Sequence, residues 1–249
     1  MKMKQAYMML ALAFAAGSAA AATTDFSSGT QGWEGTQPAD GIGGSGIDST
    51  LGNGAPAYRT IINNFGITFA NSTNADFVRD YTATSSVTFG IDVLAQQVSY
   101  FGTDVTRDLV LELRDYDNAA NGLPYTSVWT TIGTLDASAG GWQHFSVTID
   151  ATSAIGLPAG WGGYGAELAD GTPYLPADRT FASVLAGVDE IAFTTYKPGF
   201  AYGFTDFDVA VDNISVSAVP EPGTWAMLAA GLALVGTVAG RGKRRHRAG

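Results

Sequence analysis

Few side chains in this sequence of 249 residues could act in catalysis. There is no cysteine, which excludes a thiol nucleophile, a disulfide and a zinc–thiolate site. Between residues 23 and 219 the only imidazole is that of His144, and no Gly-x-Ser-x-Gly sequence accompanies it to suggest a hydrolase triad. Glu112 and Asp115 come closest to the carboxylate pair of a glycosidase, but an odd spacing puts them on opposite faces of a strand. We therefore predict that the protein is not an enzyme, and a divergent glycan hydrolase using Glu112 is the alternative.

Aromatic side chains offer a different chemistry, because their faces can stack on the apolar side of a sugar ring. Trp161 and Tyr164 flank two glycines, and we expect this segment to be a flexible loop that exposes both rings. Trp129 is the third candidate for glycan binding. Trp33 lies in a strand-like context and is predicted to be in the core. Core or edge packing remains the alternative for the three candidates as well.

The first 22 residues have the pattern of a secretory signal peptide. Lys2 and Lys4 are followed by an apolar stretch over residues 6–16 and by small residues at 20–22. This apolar stretch is shorter than the roughly 20 residues that a membrane-spanning helix needs. We predict cleavage after Ala22.

The C-terminal residues 219–249 form a second segment with three parts. Pro220, Glu221 and Pro222 are followed by an uncharged apolar run over residues 224–240, which predicts a transmembrane helix. Residues 241–249 then contain five basic side chains. Under the positive-inside rule the basic end stays in the cytoplasm while the preceding body is translocated. An ordinary C-terminal membrane anchor would show the same pattern.

The charge of the body differs from that of the whole chain. The formal net charge is −10 over 249 residues, but residues 23–219 contain 22 acidic and six basic residues, a net charge of about −16. Such a surface disfavours nucleic acid as a partner. It would also repel an acidic polysaccharide unless cations bridge the two.

Residues 23–218 show the pattern of an all-β domain. Several segments combine β-branched and aromatic residues with turn residues at their ends, and in 108–114 the leucines at 109, 111 and 113 share one face. The strands are predicted over 61–69, 86–93, 108–114, 128–135, 143–149, 190–196 and 207–216. Residues 181–188 have helical spacing, with Asp178 as the expected cap. We predict an antiparallel jelly-roll β-sandwich with one short helix.

The tail resembles the PEP-CTERM sorting signal of Gram-negative bacteria, through Pro220-Glu221-Pro222, the apolar run and the basic end. The resemblance implies export through the Sec translocon and a transient anchor in the inner membrane. It also implies recognition by an exosortase and removal of the tail. The protein would then reach the outer surface or the extracellular space, in the context of exopolysaccharide production.

The body resembles jelly-roll modules of the laminin B and carbohydrate-binding kinds. The resemblance is carried by the segments 25–33, 108–113, 141–147, 181–193 and 207–216. It implies one structural calcium between the first and last strands, at positions that match Asp25 and Asp212, although both aspartates would serve equally in turn hydrogen bonds. The implied function is a glycan-binding or matrix-associated module whose partner is extracellular polysaccharide. A structural matrix component without a specific ligand is the alternative.

Overall fold

The computed structural model describes residues 21–39, 42–54 and 56–220. This part of the chain is built from strands that alternate with turns. The strands are β1 Ala21–Thr24, β2 Trp33–Gly35, β3 Gly44–Asp48, β4 Ala57–Asn64, β5 Thr68–Asn71, β6 Thr84–Tyr100, β7 Thr103–Asp104, β8 Arg107–Asp115, β9 Thr126–Leu135, β10 Gln143–Ile149, β11 Trp161–Tyr164, β12 Ala166–Glu167, β13 Pro173–Tyr174, β14 Glu190–Thr194 and β15 Thr205–Pro220. One α-helix, α1 Phe181–Ala186, and a 3₁₀ turn, Ala137–Ala139, complete the described elements.

The strands form two antiparallel sheets that pack face to face. The first sheet has the order β10-β6-β15-β4-β3, with β1 added to β15 and β7 added to β6. The second sheet has the order β11-β9-β8-β14-β5-β2, and β12 and β13 form a separate two-stranded ribbon. The predicted all-β sandwich with a short helix is confirmed.

The core lies between the sheets and follows from the alternation of side chains along each strand. Leu109, Leu111 and Leu113 of β8 face inward, as predicted, and are almost completely buried. Trp33 is also fully buried, where its ring meets that of Phe77 edge to face at a centroid distance of 5.2 Å. Its burial confirms the prediction that Trp33 belongs to the core.

Two predicted elements differ in detail from the observed ones. The single strand predicted over 61–69 is broken into β4 and β5 by a turn at residues 65–67, so the chain passes from the first sheet to the second. Asp178 does not cap α1. Thr180 does, because it directly precedes the helix: its hydroxyl accepts the Ser183 amide while the Ser183 hydroxyl accepts the Thr180 amide.

The predicted signal peptide lies outside the described residues except for Ala21 and Ala22. The part of the predicted sorting tail after Pro220 lies wholly outside them: Glu221, Pro222, the predicted transmembrane helix 224–240 and the basic tail 241–249. Ala21 and Ala22, which precede the predicted cleavage point, pair with Ser217 and Val216 in β1 and β15. Within the described ranges, no helix is long and apolar enough to cross a membrane.

Candidate functional site

The outer face of the second sheet carries an unusual set of side chains. Strand alternation turns Glu112 and Arg114 of β8 away from the core, and the pairing of β8 with β9 places Trp129 opposite Glu112 and Ser127 opposite Arg114. On the next strand, Tyr164 pairs with Ser127. Polar, charged and aromatic groups therefore meet on one surface, which we call the outer face.

A buried ionic cluster lies at the centre of the outer face. Arg114 donates from Nε and Nη2 to Glu112 Oε2 at 2.9 and 2.6 Å, and from Nη1 to Glu190 Oε1. Ser127 Oγ donates to Glu112 Oε1 at 2.6 Å. Burial opposes the charge of Arg114, but the two glutamates outweigh this effect and raise its pKa. Glu112, which is 1% exposed, thus acts as the counter-ion of Arg114.

Three tyrosines cover this cluster. The Arg114 guanidinium lies 5.0 Å from the centre of the Tyr125 ring, which is 5.3 Å from the rings of both Tyr116 and Tyr164. Burial raises the pKa of all three phenols, and the charge of Glu112 adds to the effect at Tyr125. The tyrosines are therefore neutral at physiological pH and present a continuous aromatic strip.

Trp129 extends the aromatic strip and is positioned by a glycine. A Cβ atom on Gly162, its cross-strand partner, would come within 2.3 Å of the indole atoms Cε2 and Cζ2. The indole therefore occupies the space that a side chain at position 162 would need. Lys197 Nζ lies 5.8 Å from the ring centre and donates to Asp108 Oδ2 at 3.1 Å.

A cavity of about 330 Å³ opens beside Trp129. Its walls come from two loops, which contribute Asp170, Thr172, Lys197 and Phe200. The volume is at the small end of ligand sites in proteins, which span about 300–1,000 Å³. An aromatic ring, an ammonium group and a carboxylate around such a space can hold a small polar ring that has one apolar face.

The structure brings two of the three predicted glycan-binding residues together. Trp129 and Tyr164 lie on the outer face, whereas Trp161 turns to the core side, where its ring meets Phe181 at a centroid distance of 5.1 Å. Sequence reasoning missed Tyr125 and Lys197, which lie in loops without any local pattern. Glycan binding by Trp129, Trp161 and Tyr164 stays a prediction.

The two predicted calcium ligands are close enough to interact electrostatically. Asp212 is fully buried, and its oxygens accept the amides of Asn53 and Asn213 at 2.7 Å each. Burial raises the pKa of Asp212, and the charges of Asp92 and Asp25 add to the effect. Asp25 Oδ1 accepts the amide and hydroxyl of Ser27. Both aspartates thus make the turn and loop hydrogen bonds that were the alternative to calcium.

Calcium binding at Asp25 and Asp212 stays a prediction. Each carboxylate keeps acceptor capacity beyond these bonds, although no three His, Asp or Glu side chains converge on one point within the described residues. A cation that binds the folded state should raise the midpoint of thermal unfolding by roughly 5 °C. We expect this rise in millimolar calcium relative to EDTA and its loss in Asp212→Asn. Equal midpoints in calcium and EDTA would contradict the prediction.

The single imidazole of the body lies elsewhere, on the first sheet. His144 Nδ1 is 2.7 Å from Asp92 Oδ1, and Asp92 Oδ2 accepts the side-chain amides of Asn53 and Asn213. This network joins the loop between β3 and β4, and Asn213 of β15, to Asp92 of β6. In the described geometry His144 therefore has a structural role.

Comparison with family models identifies the tail. Residues 218–245 match the PEP-CTERM protein-sorting motif, which confirms the resemblance seen at Pro220, Glu221 and Pro222. Comparison with curated proteins returns no match. The sorting motif marks the chain as an exported protein that an exosortase processes.

Comparison with solved structures returns weak similarity both to carbohydrate-binding modules and to enzymes such as agarases and a carbohydrate esterase. The family 30 module of a Clostridium thermocellum cellulase is 12% identical, with a TM-score of 0.42 over 79% of this chain and 93% of that chain. The N-terminal cellulose-binding domain of Cellulomonas fimi β-1,4-glucanase C is 16% identical, with a TM-score of 0.37 over 76% and 90%. A Clostridium thermocellum xylanase is 14% identical, with a TM-score of 0.43 over 79% of this chain and 28% of that chain.

Proposed function

We propose that this exported protein is a jelly-roll-like, non-enzymatic module that binds a neutral glycan chain on its outer face. The observation that carries the proposal is the aromatic strip of Tyr116, Tyr125, Tyr164 and Trp129, which lies over a buried ionic cluster and ends at a cavity of about 330 Å³. Rings of this kind can stack on sugars. The cluster beneath them restricts their movement, so little conformational entropy is lost on binding.

Each part of the outer face has a task in this proposal. The free side of the Trp129 indole stacks on one sugar ring, and Lys197, Asp170 and Thr172 supply hydrogen bonds around the cavity. Tyr125 and Tyr164 contact the neighbouring sugar units. The net charge of about −16 on residues 23–219 disfavours an acidic polymer, so we propose a neutral one.

The sorting tail determines where this binding takes place. We propose that the Sec translocon exports the chain, that the segment 224–240 holds it transiently in the inner membrane, and that an exosortase then removes the tail. The module would meet extracellular polysaccharide at the outer surface or beyond it. A structural matrix component that binds no glycan, and a divergent hydrolase, are the alternatives.

Affinity gel electrophoresis of the full chain in gels containing hydroxyethylcellulose, galactomannan or alginate tests the proposal. We expect the protein to migrate more slowly in at least one gel that contains a neutral polymer. In the alginate gel its migration should be unchanged. Tyr164→Ala should weaken the binding about tenfold, because it removes one stacking ring at a cost of about 1.4 kcal/mol. Ile155→Ala, which truncates a side chain that is 78% exposed in the loop before β11, is the matched control.

Two outcomes would overturn the proposal in favour of an alternative. Unchanged migration in every gel would favour the structural matrix component. Release of reducing sugar from either neutral polymer, lost in Glu112→Gln, would favour the hydrolase.

A further inference from the structure

Five exposed aromatic side chains gather at one end of the sandwich. They come from three connections: the turn between β4 and β5, the hairpin between β6 and β7, and the loop between β14 and β15. We call this surface the aromatic tip. It consists of Phe65 (48% exposed), Tyr100 (40%), Phe101 (88%), Tyr196 (41%) and Phe204 (51%).

The three connections touch one another. The ring centres of Phe65 and Phe204 are 3.9 Å apart, and those of Tyr100 and Phe101 are 4.6 Å apart. Tyr100 also lies against Gly203, where an added Cβ would be 2.6 Å from its ring. The aromatic tip is therefore one continuous patch, and such patches on soluble proteins mark interaction sites.

Phe101 occupies a position that folding does not favour for phenylalanine. Its φ is 49° and that of the following Gly102 is 75°, the pair of positive values found in tight hairpin turns. Asparagine and aspartate are the residues preferred at the first of these positions. Neither backbone preference nor burial explains a phenylalanine there: its ring touches Tyr100, and 88% of its surface stays available for contact with a partner.

Charge argues against a lipid bilayer as the partner. Lys197 is the basic residue of the three connections, and it is paired with Asp108. A bilayer-binding surface would instead present free Lys or Arg to anionic headgroups. The net charge of about −16 on each body repels a second copy, so two copies could associate only weakly and through a surface of low charge, such as the rings of the aromatic tip.

The polar groups at the tip argue against a sugar. Asn63 Nδ2 donates to Asp206 Oδ1 at 2.6 Å, and Asn64 Oδ1 accepts the Phe65 amide at 2.8 Å. The Asn63 and Asp206 side chains are thus already paired with each other, and the Asn64 side-chain oxygen is paired with the backbone. The phenols of Tyr100 and Tyr196 are the hydrogen-bonding groups of the tip's own rings, and its three phenylalanines supply none for sugar hydroxyls, whereas a second set of aromatic rings needs none.

The size of the aromatic tip fits a weak, reversible dimer. Phe, Tyr and Trp side chains each bury about 150–250 Å² when fully covered. Five rings that are on average about half exposed therefore offer roughly 400–650 Å² per copy, and a pair of tips roughly 800–1,300 Å². Stable interfaces begin at about 1,200 Å² in total.

We propose that two copies of the protein associate tip to tip about a twofold axis. Equivalent residues near such an axis lie close to each other. The absence of cysteine from the sequence makes this testable by a single introduced thiol. We expect Thr103→Cys, on the hairpin beside Phe101, to form a disulfide-linked dimer under mild oxidant in the envelope of cells that express and export the full-length chain. Ile155→Cys, in a distant loop, is the control and should stay monomeric.

Adding Phe101→Ser and Phe204→Ser to Thr103→Cys should reduce the linked dimer at least tenfold, while thermal unfolding shows that the variant is folded. A monomeric Thr103→Cys, or a dimer unaffected by the two serines, would overturn the proposal. So would cross-linking to a protein of different mass, because it would assign the aromatic tip to another partner. Glycan binding on the outer face is unaffected by any of these outcomes, since Trp129 and Tyr164 are unchanged.

Discussion

Arg114→Met is expected to destabilise the fold by about 3–5 kcal/mol, the usual cost of breaking a buried ion pair from one side. Methionine fills a similar volume but leaves the carboxylate of Glu112, which is 1% exposed, with Ser127 Oγ as its remaining donor. Glu190 loses the same guanidinium. Urea unfolding followed by tryptophan fluorescence measures the change.

A double-mutant cycle separates the charge effect from the loss of packing. Replacing Glu112 by Gln in the Arg114→Met background removes the stranded charge, so it should recover about half or more of the lost stability. Glu112→Gln alone should cost less than Arg114→Met, because Arg114 keeps Glu190 as a partner. A change below about 1 kcal/mol for Arg114→Met would show that the cluster contributes no more than a surface pair does.

This cluster shows why strands could be predicted from the sequence while the site could not. Alternation along residues 108–114 separates Leu111 from Glu112, so the outward position of Glu112 is a local property. Arg114 also links Glu112 to Glu190, and this contact depends on the register of β14 against β8. That register brings together Arg114 and Glu190, which are 76 positions apart in the sequence. No local pattern encodes that register.

Trp161 and Tyr164 illustrate a different limit. The two residues are three positions apart, and in a strand this spacing puts side chains on opposite faces. The intervening glycines suggested a loop that exposes both rings, but the segment is β11, so Tyr164 joins the outer face while Trp161 packs on Phe181. The glycines have a packing role here, because Gly162 leaves the space that the Trp129 indole occupies.

The same packing leads to the largest expected effect on glycan binding. Trp129→Ala should weaken binding to whichever neutral polymer retards the wild-type protein by about 30-fold or more, because tryptophan anchors in binding sites typically contribute 2 kcal/mol or more. Of the four rings of the aromatic strip, Trp129 is the one that lines the cavity of about 330 Å³. Its removal therefore takes away the aromatic surface of the cavity. Isothermal titration with a soluble oligosaccharide of that polymer gives the dissociation constant.

Gly162→Ala tests whether the position of the indole matters as well as its presence. The φ of Gly162 is not in the left-handed region, so alanine fits the backbone, but its Cβ would lie 2.3 Å from the indole unless the ring moves. We therefore expect a loss of affinity approaching that of Trp129→Ala. Gly141→Ala, which adds a methyl group in open space, should leave binding unchanged. If Gly162→Ala bound as tightly as the wild type while Trp129→Ala did not, the indole would act without its glycine support. If neither variant lost affinity, the outer face would not be the glycan site.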